Sequence, residues 1–233
     1  MVKNGIGSAQ DWGLPVAAET YDGELNDING FHVTDAHVFE ALDSAASGPI
    51  ELGSVGGGTG MICYDYKGGS GSASRLVRIG GAEFTVGVFV QANFGLREEL
   101  TILGRNIGGI NLEGRLRHKP VGSIIAIVAT DAPLMPHQLK RLARRVPMGL
   151  ARTGTVGHHG SGDLFLAFST ANEMALSGRS SEFQILPPAS IDPLFTAVAE
   201  ATEEAVIDSM VANVTMVGRD GNICIGLSAD LLR

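Results

Sequence analysis

Ser123 directly follows Gly122 at the head of an apolar run, Ser123–Thr130, and that placement can carry chemistry. A Gly–Ser bond is sterically open, so the serine hydroxyl can reach the carbonyl that precedes it. If it attacks, an N-to-O acyl shift followed by hydrolysis leaves Ser123 as a new chain start with a free α-amine. Such an amine has a reference pKa of about 7.7–8.0, close enough to neutrality to serve as a general base once it is partly desolvated. One residue then supplies both nucleophile and base. Taken alone, a serine here is usually just an ordinary strand-start residue.

Three further groups could complete such a site. Ser161 and Asp163 are two apart at the entrance to the apolar segment Leu164–Ser169, so both can project from one face of an extended chain. Glu19 and Tyr21 have the same relation in an earlier extended segment, Val16–Tyr21, which ends at Asp22-Gly23. Asn93 closes an alternating strand and precedes Phe94-Gly95, a place for an amide donor at a sheet edge. Each alone reads as a polar strand-end residue. Together they would supply a carboxylate for an amine, two oxyanion donors and an orienting hydroxyl–carboxylate pair.

Other motifs point away from chemistry. The stretch Gly53-Ser-Val-Gly-Gly-Gly-Thr-Gly60 has no Lys-Ser or Lys-Thr pair and no helix signal after it, so it reads as a tight backbone passage rather than a phosphate cradle. His158-His159 would face opposite sides of a strand and lack a spaced third ligand, and so read as exposed loop histidines rather than a metal site. Cys63 and Cys224 lie far apart in apolar surroundings and read as buried thiols.

The elements that must position these groups follow from periodicity. Thr34 caps a helix to about Ala46, with Val38, Phe39, Leu42 and Ala46 on one face and Gly48-Pro49 ending it. Gly53–Ser74 is a long glycine- and serine-rich stretch. Glu83–Ala92 alternates as a strand, with Phe84, Val86, Val88 and Val90 on one face, and Leu100–Leu103 is a candidate to pair with it. Asn106–Lys119 reads as an exposed basic loop. Ser123–Thr130 is typical of a strand covered on both faces. A helix starts near Pro136 and turns Leu139, Leu142, Ala143 and Val146 inward, with Lys140, Arg141, Arg144 and Arg145 on a solvated face. Leu164–Ser169 is a strand, and Asp192-Pro193 caps a helix to about Ala212 with Leu194, Val198, Ala201 and Ala205 in one stripe. Gly218–Asn222 turns into a last strand, Ile223–Leu227. Strands and helices mix without regular βαβ alternation, which favours a layered α+β fold over a doubly wound sheet.

Composition bounds the rest. The chain has 233 residues, 44% of them hydrophobic and 18% charged, enough for a real core and unlike a disordered chain or a coiled coil. Its net charge of −8 repels phosphate backbones, so nucleic acid is not an expected partner. Met1–Trp12 lacks the apolar region of a secretory signal, and Ile124–Ala129 is too short to span a bilayer, which points to a soluble cytoplasmic protein with no membrane partner.

Several segments, taken in order, resemble the DmpA-type family. They are Ala18-Glu-Thr-Tyr-Asp-Gly23, Leu25-Asn-Asp-Ile-Asn-Gly30, Gly56-Gly-Gly-Thr-Gly-Met61, Gln91-Ala-Asn-Phe-Gly95, Gly122-Ser-Ile-Ile125, Ala129-Thr-Asp-Ala-Pro-Leu134 and Ser161–Asn172. These are the self-cleaving N-terminal-serine aminopeptidases, which include L-aminopeptidase/D-amino acid esterases and β-peptidyl aminopeptidases. The resemblance runs from about Val16 to the C-terminus. It implies a four-layer αββα sandwich related to the N-terminal-nucleophile hydrolases, and one aminopeptidase domain over 1–233 that lacks the family's N-terminal portion. It further implies a cut between Gly122 and Ser123 into chains 1–122 and 123–233 that stay together. It makes Ser123 the nucleophile, Asn93 and Tyr21 the oxyanion donors, Glu19 the ligand of the substrate's free amino group, and Ser161 with Asp163 the supporting pair. An Asp163 carboxylate beside the α-amine would raise its pKa and oppose its service as a base, so Asp163 is assigned to orienting Ser161. The resemblance also implies a homo-oligomer acting on short peptides or on amino acid amides and esters, with no metal or organic cofactor. Two other readings stand beside it. One is an acyltransferase of the ornithine acetyltransferase type, whose new chain start is threonine; the other is a truncated, catalytically incompetent product.

Overall fold

The computed structural model describes residues 16–18, 20–110, 114–117, 119, 122–172 and 182–232. Its elements are α1 (Asp35–Asp43), β1 (Ile62–Cys63), β2 (Tyr66–Lys67), β3 (Gly69–Ile79), β4 (Ala82–Asn93), β5 (Thr101–Ile102), β6 (Arg105–Asn106), β7 (Ser123–Thr130), α2 (Pro136–Ala143), α3 (Val146–Arg152), β8 (Leu164–Ser169), α4 (Asp192–Val211), β9 (Met216–Val217) and β10 (Ile223–Cys224). The fold is α+β. Its centre is one four-stranded sheet of order β3-β4-β7-β8, antiparallel except for the parallel β7–β8 pair.

The alternation read from Glu83–Ala92 holds: Val86, Val88 and Val90 are buried, and they face the same side as Ile124, Ala126 and Val128 of β7. On that side lie the helices. The stripe Leu194, Val198, Ala201 and Ala205 of α4 is buried against β3 and β4, and Leu142 and Val146 complete the layer. Arg141 and Arg145 are not simply solvated, because their guanidinium groups stand 4.9 and 4.1 Å from the Phe195 ring centre. The opposite face of the sheet carries Leu76, Leu164, Leu166 and Phe168, all exposed in the described residues. Among the described residues the second face of β7 is thus only partly covered, with Ile125 buried and Ile127 and Ala129 half-buried.

Local departures from the sequence reading have identifiable causes. The glycine- and serine-rich stretch ends in a full strand, β3, whose weak β propensity is overridden by packing. An added Cβ at Gly71 would lie 1.9 Å from the Ala205 carbonyl oxygen, so only glycine lets α4 approach the sheet this closely. Gly71→Ala is expected to cost about 3 kcal/mol, the upper end for overpacking, because backbone stands on both sides of the clash. Urea unfolding, read as a lower midpoint at unchanged slope, checks this. The tight-passage reading of Gly53–Gly60 holds: a Cβ at Gly58 would meet both the Gly53 oxygen and the Ser70 nitrogen at 2.5 Å. Lys67, fully buried, donates to the carbonyls of Gly58, Met61 and Gly68 and so pins this stretch, and burial pushes its ammonium down to about 8.

Other boundaries shift. Helix α1 ends at Asp43, and its apolar face (Val38, Phe39, Leu42) is exposed. Thr101–Ile102 pairs with Arg105–Asn106 rather than with β4. The helix begun at Pro136 breaks at Arg144-Arg145, and Val146 opens α3 with Pro147 in its first turn. Ile191, not Asp192, is the cap of α4. Val16–Ala18 and Thr20–Tyr21 join no sheet, and the final strand is only Ile223–Cys224. Both cysteines are free and buried, as expected. Among the described residues, no helix is long and apolar enough to cross a membrane.

Candidate active site

Strand β7 begins at Ser123, and its register places Ser123 opposite Asn93, the last residue of β4. The polar residue that ends one strand thus faces the one that starts its neighbour. Gly122 enters the strand with φ +107°, and an added Cβ there would sit 1.8 Å from the Asn93 carbonyl oxygen, so no residue but glycine fits before this serine. Strand alternation directs Ser123 to the face of Ile125 and Ile127, away from the helices. Val16 and Ala18 line an apolar groove on that face with Phe89, Ile125 and Leu164. The segment that carries Glu19 therefore runs along the side from which Ser123 emerges; Glu19 itself lies outside the described residues.

The Ser161 and Asp163 pair is brought to the same place by the parallel β7–β8 ladder. Ser161 Oγ donates to Asp163 Oδ1, and the same oxygen accepts the Ile124 N–H at 3.0 Å. Asp163 is thereby tied to the second residue of β7, and it orients the Ser161 hydroxyl while leaving that oxygen's lone pairs free to accept. The Gly162 N–H donates to Ser123 Oγ at 2.9 Å. No sequence signal marked Gly162, because its contribution is a backbone amide whose position depends on the whole loop.

That loop is held at both ends. The Tyr64 hydroxyl accepts the Thr155 N–H at 3.1 Å and bonds Thr153 Oγ1 at 2.7 Å. Thr153 Oγ1 itself donates to Leu150 O, so the phenol donates to Thr153. His158 receives the Ser161 N–H on its carbonyl and places Nε2 2.7 Å from Glu99 Oε1. Of the two histidines, only His159 is an exposed loop residue; His158 is half-buried and lines a small cleft with Gly122, Ser161 and Asp163. Among the described residues, no group of three His, Cys, Asp or Glu side chains could hold a metal.

Asn93 is fully buried and its amide is completely determined by its partners. Oδ1 accepts from Ile62 N at 2.9 Å and from Arg117 Nη2 at 3.1 Å, and Nδ2 donates to the Tyr21 carbonyl at 2.5 Å. What meets Asn93 is thus the backbone of Tyr21, while its phenol ring is exposed. Arg117, read from sequence as part of an exposed basic loop, is buried. Its guanidinium forks onto Glu24, with Nε at 3.2 Å from Oε1 and Nη2 at 3.0 Å from Oε2.

Beneath Arg117 lies a buried charge centre. Tyr64 and Asp65 form a two-residue hairpin turn between β1 and β2 with φ of +51° and +58°, where Asn-Gly is the usual choice. Asp65 Oδ1 accepts the N–H groups of Leu116 and Arg117 at 3.0 and 2.8 Å. Its Oδ2 stands 3.9 Å from both Arg97 Nη2 and Arg115 Nε, and Arg97 lies 4.1 Å over the Tyr66 ring. Burial lowers the pKa of Arg97, and Tyr66 and Asp65 oppose that shift.

The chain as a whole is similar to known proteins. The chain is 46% identical over 228 residues to beta-peptidyl aminopeptidase BapA of Sphingosinicella microcystinivorans, covering 90% of this chain and 57% of that protein. It superposes on the L-aminopeptidase D-Ala-esterase/amidase of Ochrobactrum anthropi, a variant of the Ntn hydrolase fold, with a TM-score of 0.87 and 46% identity over 96% of this chain and 63% of that one. A Burkholderia beta-aminopeptidase gives a TM-score of 0.85 and 44% identity over 99% and 67%. The chain therefore spans just over half the length of the curated relative. Residues 2–224 match the description Peptidase family S58 across both sides of the Gly122–Ser123 bond, and the chain belongs to that family.

Proposed function

We propose that this chain is an N-terminal-serine aminopeptidase that makes its own nucleophile by cutting itself between Gly122 and Ser123. The observation that carries the reading is Ser123 at the head of β7, with the Gly162 N–H on its Oγ and the Asn93 amide in register across the sheet. The names of its relatives, an aminopeptidase and an aminopeptidase–esterase, support hydrolysis over acyl transfer, as does serine rather than threonine at the cut.

Maturation begins when Ser123 Oγ attacks the Gly122 carbonyl carbon. The C–N bond breaks, an ester forms and the nitrogen takes the hydroxyl proton. Water then hydrolyses the ester, which gives chains 1–122 and 123–233. In turnover, Glu19 holds the ammonium of a substrate with a free amino terminus. Ser123 Oγ attacks its first amide or ester carbonyl, and the proton passes to the Ser123 amine directly or through Ser161, whose hydroxyl Asp163 orients. Asn93 donates to the oxyanion, water releases the acyl group, and the matured α/β protomers work as a homo-oligomer. The substrates are short peptides and amino acid amides or esters.

Intact mass is expected to show two chains that sum to the full sequence plus one water. An aminoacyl p-nitroanilide is expected to be cleaved, and its N-acetylated form to lose at least about 100-fold in kcat/KM, as expected for a lost charged contact. A single unbroken chain that still hydrolyses the anilide would overturn the reading.

A further inference from the structure

The three partners of the Asn93 amide are chemically one-sided. A backbone N–H and a guanidinium only donate, and a carbonyl only accepts. With Ile62 N and Arg117 Nη2 on Oδ1 and the Tyr21 carbonyl on Nδ2, the amide cannot turn over without losing all three bonds. Ile62 and Tyr21 act through the main chain, so among the described residues Arg117 is the one side chain that sets this orientation. It is itself held by the carboxylate fork of Glu24 on its head and by Asp65 Oδ1 on its own N–H.

We infer that Arg117 is the positioning residue for the Asn93 donor, an inference that rests on the reading of Asn93 as the oxyanion donor. Its location gives this a consequence. Residue 117 lies just ahead of Gly122, so after the cut Arg117 belongs to the tail of the first chain while the nucleophile heads the second. The Asp65 bonds to Leu116 and Arg117 keep that tail seated once the covalent link is gone, and the Ile62 carbonyl accepts from Nη1 at 3.2 Å as a further hold. The first chain thus continues to orient the oxyanion donor for the second.

The test is a double-mutant cycle on Arg117→Met and Asn93→Ala, with kcat and KM for an aminoacyl p-nitroanilide measured per cut chain counted by intact mass. Arg117→Met alone is expected to lower kcat roughly 10- to 100-fold, the scale of a misplaced group at a reacting centre, with KM within about twofold. In the Asn93→Ala background the same substitution is expected to change kcat by less than about twofold, because the group it positions is gone. An equal loss in both backgrounds would make Arg117 merely structural and overturn the inference. If Asn93→Ala alone turns over like the parent chain, the oxyanion assignment fails, and the inference fails with it. Should Arg117→Met not fold, Glu24→Gln in the same two backgrounds decides the question by the same pattern.

Discussion

Ser123→Ala is expected to leave a single uncut chain and to lower anilide hydrolysis by at least ~10⁴-fold, the scale seen when a catalytic nucleophile is removed. Two losses coincide. The methyl group cannot form the ester through which the proposed cut would open the Gly122–Ser123 bond, so no new amine would appear. Nor is there an oxygen to attack substrate. The fold is expected to survive, because Ser123 is only half-buried and among the described residues its hydroxyl makes one bond, from Gly162 N–H. The strand pairing opposite Asn93 is made by main-chain atoms that alanine retains. Intact mass and a urea unfolding curve read out both points. A variant that still separates into two chains would mean that something other than Ser123 Oγ performs the cut.

The second large effect is on stability. Asp65→Ala is expected to cost about 3–5 kcal/mol, the range for breaking a buried charge pair from one side. Asp65 is buried, and its carboxylate stands between two guanidinium groups while accepting the Leu116 and Arg117 N–H groups. Alanine removes the negative charge from beside Arg97, which is fully buried and whose pKa burial already lowers. It also leaves two main-chain donors without their acceptor. Asp65→Asn keeps an acceptor for those donors and loses only the charge, so a smaller cost is expected. Urea unfolding of the two variants orders them, and equal costs would assign the effect to the lost charge alone. Because Asp65 seats Arg117, the alanine variant is also expected to lose turnover before it loses structure.

Local pattern was sufficient for much of the fold. The alternating Val86, Val88 and Val90, the apolar runs of β7 and β8 and the buried stripe of α4 were all legible, because each depends on the spacing of apolar side chains within one element. The hairpin partner assigned to Leu100–Leu103 was not. Its mate, Arg105–Asn106, carries no apolar signal, and the pairing is closed by a turn at Leu103-Gly104 with positive φ at both residues. Strand β3 was hidden for a different reason. Its glycines and serines lower strand propensity, and what they gain, the close approach of α4, is visible only once the helix is in place.

The sequence by itself determined the chemistry available: a Gly-Ser bond at the start of a strand, a hydroxyl–carboxylate pair two residues apart, and an amide at the end of another strand. These are properties of side-chain type and of neighbours along the chain. Only the tertiary structure decided what fixes them. The Gly162 amide on Ser123, Arg117 on Asn93 and Asp65 under Arg117 join residues separated by 39, 24 and 52 positions. Hydrogen bonds and buried charges are short-ranged and directional, so such partners are chosen by the packing that brings distant segments within reach, and no spacing in the sequence records that choice.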